Sequence, residues 1–286
     1  FRWRENAMGV KKKPCDMGKS PFKEYLWEAQ RWCIREGIYI APKARNDTAW
    51  YIDIKNKGKV NTTPGTFGKT EIWVKIFKYA EAEYELQYRD LLLDVMENHV
   101  IRDNERTGIG CASAFSLDID IDISKHFPIL SGRKMFPHIF KSEFNWFING
   151  ETNVKTLQEA GNKIWNEWAD ENGDLGPVYG HQLRNFNSQG YDQLEAVIKS
   201  LNDTPDSRRH VISLWNPAQL EEMALPPCYL YFQFFVDGTD LHMFALQRSA
   251  DIFLGVPYDI ALFSQILLYI SEKTGSDWGL VTVDDL

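Results

Sequence analysis

The chain's strongest candidate nucleophile is Cys228, which follows two prolines in "ALPPCY" (residues 224–229). A free cysteine is also among the most buried residue types, so by itself Cys228 reads first as a packed core thiol. Glu143 sits in sequence among Phe144, Trp146 and Phe147. Burial there would raise its pKa and suit it to moving protons. Arg208 and Arg209 stand side by side after "TPDS". Guanidinium forks match phosphate oxygens, although in isolation the pair reads as a solvated turn. Trp165 and Trp168, three residues apart, read alone as a packed helix face. Cys15, Cys33, Cys111 and Cys228 are widely spaced and form no CxxC pair, which argues against a zinc site or a disulfide framework. "MGKS" (residues 17–20) lacks the upstream glycine spacing of a P-loop.

The elements that must position these residues are mixed. The chain has 286 residues, 44% hydrophobic and 14% aromatic with ten tryptophans, enough for a substantial core. The pattern of Pro21–Gly37 predicts an amphipathic helix, and "IYIAP" and "AWYIDIKNKGKV" predict strands with a turn at "NKGK". Residues 70–100 carry a long helical pattern. Further helices are expected over "FPHIFKSEFNWFING", closed by Gly150, over "NVKTLQEAGNKIWNEWA", "DQLEAVIKSLND" and "IALFSQILLYISEKTG". "RRHVISLWN", "YLYFQFFVDG" and "LHMFALQRS" read as strands, the last two joined at "DGTD", and "VTVDDL" reads as another. Helices and strands mix without a regular βαβ repeat, so the fold class is α+β with a large, mixed sheet.

Six motifs occur in a fixed order: "RDNERTGIG", "EFNWFINGETN", "IWNEWADENGDLGPVYGHQ", "PDSRRH", "LPPCY" and "QRSADIFLGVPYDIA". Together they resemble the thymidylate synthase family, which includes the pyrimidine nucleotide hydroxymethylases, over residues 83–286. The resemblance implies the thymidylate synthase fold as a symmetric homodimer, with 5,10-methylenetetrahydrofolate as co-substrate and no metal. It implies transfer of a one-carbon unit to C5 of a pyrimidine deoxynucleoside monophosphate. C5 of a pyrimidine is a poor nucleophile, and addition of a thiolate at C6 makes it enamine-like. The resemblance thus makes Cys228 the nucleophile and Arg248 the cation that activates it. Arg106, Arg208, Arg209, Arg248 and Ser249 match the phosphate-binding positions, with Arg208 and Arg209 reaching the other subunit's site. Gln247 falls with the substrate-binding set. Glu143 matches the general acid/base and Tyr179 the tyrosine near C5. Ile164, Trp165, Trp168, Leu254, Gly255 and Tyr258 match the folate wall, and Asp251 its polar anchor.

Two departures concern the base. Where the family block usually reads "GxPxNxA", this chain has "GVPYDIA", with Asp259 in place of asparagine. An asparagine amide both donates and accepts, and pairs with uracil. A carboxylate cannot donate to O4, but it accepts from the N4 amino group of cytosine. The hydroxymethylases that act on dCMP carry aspartate there, so the expected substrate is dCMP, with dUMP methylation to dTMP as the alternative. Tyr229 stands where thymidylate synthases usually have histidine, which implies a rebuilt network at the 4-position. Arg133 replaces the lysine expected in the folate-facing loop and keeps its charge. Trp165 and Trp168 are thymidylate-synthase-like, and hydroxymethylation is favoured over methylation only by the dCMP-type base contact.

Charge divides the chain. Residues 1–80 carry 17 Lys+Arg against 8 Asp+Glu, and residues 81–286 carry the other 15 against 32. The boundary is expected at residue 82, separating a basic N-terminal unit (1–82) from the catalytic domain (83–286). Basic residues interleaved with Trp3, Trp27, Trp32, Tyr39, Trp50 and Trp73 could bind nucleic acid. A non-catalytic nucleic-acid-binding dimer is accordingly the competing reading. The N-terminus has no signal pattern and no apolar run reaches a membrane span, so a cytoplasmic protein is expected. The family pattern would continue past "VDDL" with a ribose-binding His-x-Tyr pair and a closing tail. The expectation is therefore a C-terminally incomplete domain, in which nucleotide binding and activity are open to loss.

Overall fold

The computed structural model describes residues 39–56, 59–62, 66–68, 71–72, 83–104, 108–124, 127–130, 134–274 and 281–285. The helix expected over Pro21–Gly37 lies outside them, as do Arg106 and Arg133. The chain divides into two compact units, residues 1–115 with 131–133, and residues 116–130 with 134–286.

In the first unit, β1 (Tyr39–Ala44), β2 (Trp50–Asn56) and β3 (Lys59–Thr62) form an antiparallel sheet in that order. The Asn46 side chain accepts from the N–H groups of Thr48 and Ala49 at 3.0 and 2.8 Å and so closes the β1–β2 turn. Within the long helical pattern of residues 70–100, the described helix α1 covers Glu83–Asn98. β4 (Val100–Asn104) and β5 (Ile109–Ser113) then pair as a hairpin within "RDNERTGIG", which the sequence reading does not foresee.

The second unit is built on a five-stranded mixed sheet. Its strands are β6 (Ile119–Asp122), β7 (Val211–Ser213), β8 (Tyr229–Asp237), β9 (Asp240–Gln247) and β10 (Val281–Asp285), in the order β6-β10-β9-β8-β7. Only β9 and β10 run parallel, because the helix between them carries the chain back across the sheet. β8 and β9 form a hairpin whose two-residue loop has Gly238 at φ +62°, the left-handed position that a primed turn requires.

The crossover helix α6 (Val256–Lys273) is apolar around most of its circumference: Ile260, Ala261, Leu262, Phe263, Leu267 and Ile270 are all fully buried. It packs on the sheet and on α2 (Pro137–Ile148). Phe232, Phe234, Leu241, Met243 and Ala245 meet it from the sheet's inner face. Truncating Phe263 to alanine here would cost about 3–5 kcal/mol. α2 stops where Gly150 takes φ +73°. α4 (Tyr179–Arg184) and α5 (Gln193–Asp203) complete the unit, with Asp192 capping α5 by accepting from the Glu195 N–H at 3.0 Å.

One expected helix is not formed. Of residues 153–169 only α3 (Lys155–Glu159) is helical. Gly161 takes φ +79°, and Asn162 turns the chain: its Oδ1 accepts from the Ile164 N–H at 3.1 Å. Its Nδ2 donates to the Ile139 carbonyl and the Ser142 hydroxyl at 3.2 and 3.0 Å, tying the turn to α2. Trp165 and Trp168 therefore lie on turns, not on a helix face. Likewise β7 covers only Val211–Ser213 of the strand expected over residues 208–216.

Candidate active site

Cys228 occupies the loop residue before β8, half-buried. Two hydrogen bonds fix its backbone, and two more fix the prolines before it. Its N–H donates to the Tyr179 hydroxyl at 2.7 Å, and its carbonyl accepts from the Arg248 N–H at 2.9 Å. The Arg248 side chain donates from Nε to the Pro227 carbonyl at 2.8 Å and from Nη2 to the Pro226 carbonyl at 2.9 Å. Proline offers only an acceptor, so "PPC" presents two carbonyls to one guanidinium. The guanidinium also lies 5.7 Å from the Trp215 ring centre. Burial pushes the Cys228 thiol up, the Arg248 charge offsets it only in part, and the Asp259 charge adds to the rise. The resting group is thus a thiol. In this resting state the Arg248 charge lowers the thiol pKa by less than burial raises it, and two of the five guanidinium N–H donors are engaged by backbone carbonyls.

Next to Cys228, β8 carries an irregularity that sets which side chains turn to the inner face. Tyr229 pairs with Gln247 and Tyr231 with Leu246, so two β8 steps oppose one of β9. A regular strand would turn Tyr229 to the same face as Tyr231, Gln233 and Phe235. The bulge re-aims it inward. Tyr229 is buried, its ring 4.9 Å edge-on from Phe263 and 5.0 Å from Tyr179. Its hydroxyl donates to Asp259 Oδ1 on α6 at 2.6 Å. Gln247 also hydrogen-bonds Asp259. Burial raises the Asp259 carboxyl to about 6, against the lowering by these two hydrogen bonds, and the Asp251 charge adds to the rise. Gly255 admits this close packing: a Cβ there would lie 3.0 Å from the Asp251 carbonyl and 3.6 Å from Asp259 Oδ2.

Glu143 faces the same region from α2 and is buried. Burial raises its pKa to about 7. The Trp165 N–H, donating to Oε1 at 2.8 Å, opposes the rise, and the Asp259 charge adds to it. Around the two carboxyls stands an aromatic box. Tyr179 stacks on Phe147 at 4.9 Å, and Trp165 meets Tyr179 and Trp168 edge-on at 5.7 Å each. Tyr179, nearly fully buried, is held protonated, by burial first.

The other expected residues lie at the rim. Arg208, Arg209, Arg248, Ser249 and Asp251 are exposed. Asp251 Oδ1 accepts from the N–H groups of Phe253 and Leu254 at 3.0 and 2.8 Å, so that oxygen organises the turn into α6. Ile164 and Leu254 leave 43% and 59% of their surface exposed. Tyr258 is half-buried, its hydroxyl accepting from the Phe136 N–H at 3.2 Å. This apolar surface fits a flat, partly aromatic co-substrate. Sequence reasoning names Phe147 only as a neighbour burying Glu143 and gives no site role to Phe263 or Trp215. It also missed a buried amide cluster beneath α4, in which Asn216 Nδ2 donates to Gln182 Oε1 and Gln219 Oε1 at 3.1 Å each. Among the described residues no group of three or more His, Cys, Asp or Glu side chains is arranged to hold a metal ion. Nor, among them, is any helix long and apolar enough to cross a membrane.

A thiol flanked by an arginine, two buried carboxyls and an aromatic box thus stand together, contributed by the motif segments that contain Cys228, Glu143, Tyr179 and Asp259. The sequence model of thymidylate synthase matches residues 86–284, which contain every one of these groups. The chain belongs to the thymidylate synthase family, whose members transfer a one-carbon unit from methylenetetrahydrofolate to C5 of a pyrimidine nucleotide.

Proposed function

We propose that the pyrimidine nucleotide is dCMP and that the product is its 5-hydroxymethyl derivative. The observation that carries this reading is Asp259, a carboxylate beside the Cys228 loop held by two protein hydrogen bonds. Ionised, it can only accept, which matches the N4 amino group of cytosine and not the O4 carbonyl of uracil. Hydroxymethylation is read over methylation because an aspartate at this position is what the dCMP hydroxymethylases carry.

In this reading the Cys228 thiol loses its proton and Sγ adds to C6 of the base. Arg248, beside the loop, supports the thiolate once a proton acceptor is present. The co-substrate supplies an electrophilic one-carbon unit. C5 would form the new bond to that carbon, and tetrahydrofolate would leave with its nitrogen as Glu143 takes the C5 proton through water; water would then add to the exocyclic methylene as the carbon–sulfur bond at C6 breaks and the Cys228 thiolate departs. Ile164, Trp165, Trp168, Leu254 and Tyr258 line the co-substrate, and Arg208, Arg209, Arg248 and Ser249 bind phosphate.

The protein is read as a homodimer. The sheet face turned away from α6 carries Tyr231, Phe235 and Phe244, with Phe235 54% exposed and Val211 41% exposed on the adjoining edge strand. Arg208 and Arg209, just before that edge strand, are exposed and available to a second subunit. Residues 1–82 are taken as an accessory unit with a basic surface.

The test is tritium release from [5-³H]dCMP and [5-³H]dUMP with methylenetetrahydrofolate, followed by the mass of the product. Release from dCMP, abolished in Cys228→Ala, with a product heavier by one CH₂O, is expected. Release from dUMP alone sinks the cytosine reading. Salt-sensitive nucleic-acid binding without release from either nucleotide would favour the non-catalytic alternative.

A further inference from the structure

The two base-side positions where this chain departs from the family pattern, Tyr229 and Asp259, touch each other through a buried 2.6 Å hydrogen bond. We infer that Tyr229 is a positioning residue: it fixes the Asp259 carboxylate and leaves the polar edge toward the base able only to accept, so that an amino group is taken and a carbonyl refused. The inference rests on the cytosine reading above and extends it from the identity of one residue to a coupled pair.

The geometry comes from three elements. The β8 bulge turns Tyr229 to the inner face, the register sets Gln247 opposite it, and both converge on Asp259 in the first turn of α6. A phenol has one hydrogen and two lone pairs. Burial and the Asp259 charge hold Tyr229 protonated, so it remains a donor. Once that hydrogen is committed to Oδ1, the phenolic oxygen has only acceptor capacity left. The Tyr229–Asp259 pair is thereby left without a spare donor, and the other groups that face or act on Asp259 surround it. Gln247 is engaged with Asp259 itself. Glu143 accepts from the Trp165 N–H, and the Asp251 charge acts on Asp259 from the turn before α6. Cys228 and Tyr179 feel the Asp259 charge from the loop and from α4.

Removing the Tyr229 hydrogen leaves a buried carboxylate short of one charge-assisted bond, which favours its protonation. A protonated Asp259 can donate to O4, as the amide of asparagine does. Loss of the phenol should therefore weaken dCMP and spare or improve dUMP. A residue that merely packs would change both alike.

The experiment compares wild type, Tyr229→Phe, Asp259→Asn and the double variant. Phenylalanine keeps the ring packed on Phe263 and Tyr179, so folding is preserved. Calorimetric titration with dCMP and with dUMP gives the selectivity. The ¹³Cγ signal of labelled aspartate, assigned by its absence in Asp259→Asn, gives the titration midpoint without substrate. Tyr229→Phe is expected to weaken dCMP about tenfold or more, the loss of one charge-assisted bond, with dUMP no weaker and the carboxyl midpoint moved up. In the Asp259→Asn background the same change should leave the dCMP/dUMP ratio unmoved. Equal weakening of both nucleotides with an unmoved midpoint would overturn the inference, as would a further change of the ratio in the double variant. If wild type prefers dUMP while the midpoint still moves, the base assignment and the selectivity half of the inference fall, and the hold on Asp259 stands.

Discussion

The Cys228 amide donates to the Tyr179 hydroxyl at 2.7 Å, a bond between residues 49 positions apart in the chain. It joins the loop that carries the thiol to the first residue of α4, whose ring is itself stacked on Phe147. The tyrosine thus holds the Cys228 backbone while lying in the aromatic box around the two buried carboxyls.

Tyr179→Phe keeps that stack and removes the bond. It leaves a partly buried N–H without its partner, at a cost of about 1–3 kcal/mol. The expected outcome is a loss of tritium release of about tenfold or more with a modest fall in thermal stability. Release within twofold of wild type would mean that the loop holds its position without the hydroxyl.

Glu143 makes a prediction about stability and pH. Its folded pKa of about 7 lies above the unfolded value of 4.5. Between those values the folded state binds more protons than the unfolded chain, so its contribution falls as pH rises from about 4.5 to 7. Glu143→Gln keeps an acceptor for the Trp165 N–H and removes the buried charge. It should stabilise the fold at pH 8 by about 1–3 kcal/mol, with the gain vanishing near pH 4.5. Urea titrations at the two pH values measure this, and an equal effect at both would refute the buried-charge account. Catalysis should fall in the same variant.

Gly176 and Gly190 separate two costs of a side chain. Both take φ +74°. At Gly176 a Cβ would lie 2.1 Å from the Glu222 carbonyl oxygen, whereas at Gly190 nothing lies within 4 Å. Gly190→Ala should cost only the left-handed backbone penalty, about 1–2 kcal/mol. Gly176→Ala must also push backbone apart, and should cost about 3 kcal/mol or more. Equal midpoints for the two variants in denaturant would contradict this.

The elements legible in the sequence were those with local causes. α5 shows a capping aspartate and a clean apolar face, the β8–β9 hairpin has its glycine turn, and α6 is a long apolar run. The helix expected over residues 153–169 failed because Gly161 and Asn162 turn the chain, and the turn's bonds to Ile139 and Ser142 are long-range. Sequence periodicity cannot weigh such bonds. Tyr229 was quoted as a departure, but its contact with Asp259 depends on a bulge and on strand register, neither of which a local pattern specifies. The stack of Phe147 on Tyr179 and the place of Trp215 under the Arg248 guanidinium were illegible for the same reason: each is a contact across the fold.

Asp259 supplies the sharpest test because its own titration changes what it can recognise. With a pKa of about 6, it is ionised at pH 8 and largely protonated at pH 5. Ionised, it can only accept, as from an amino group such as N4 of cytosine; protonated, it can also donate, as to a carbonyl such as O4 of uracil. The ratio of dCMP to dUMP use should therefore fall as pH drops through about 6 in the wild-type chain. Asp259→Asn has no proton to exchange, so its ratio should favour dUMP and stay flat with pH. Glu143, with a pKa of about 7, also titrates in this range and will lower the rate with both nucleotides. Taking the ratio cancels that shared loss, so the remaining pH dependence belongs to the base contact. Competitive tritium release from the two nucleotides between pH 5 and 8 measures it. A wild-type ratio independent of pH would show that the Asp259 proton plays no part in choosing the base.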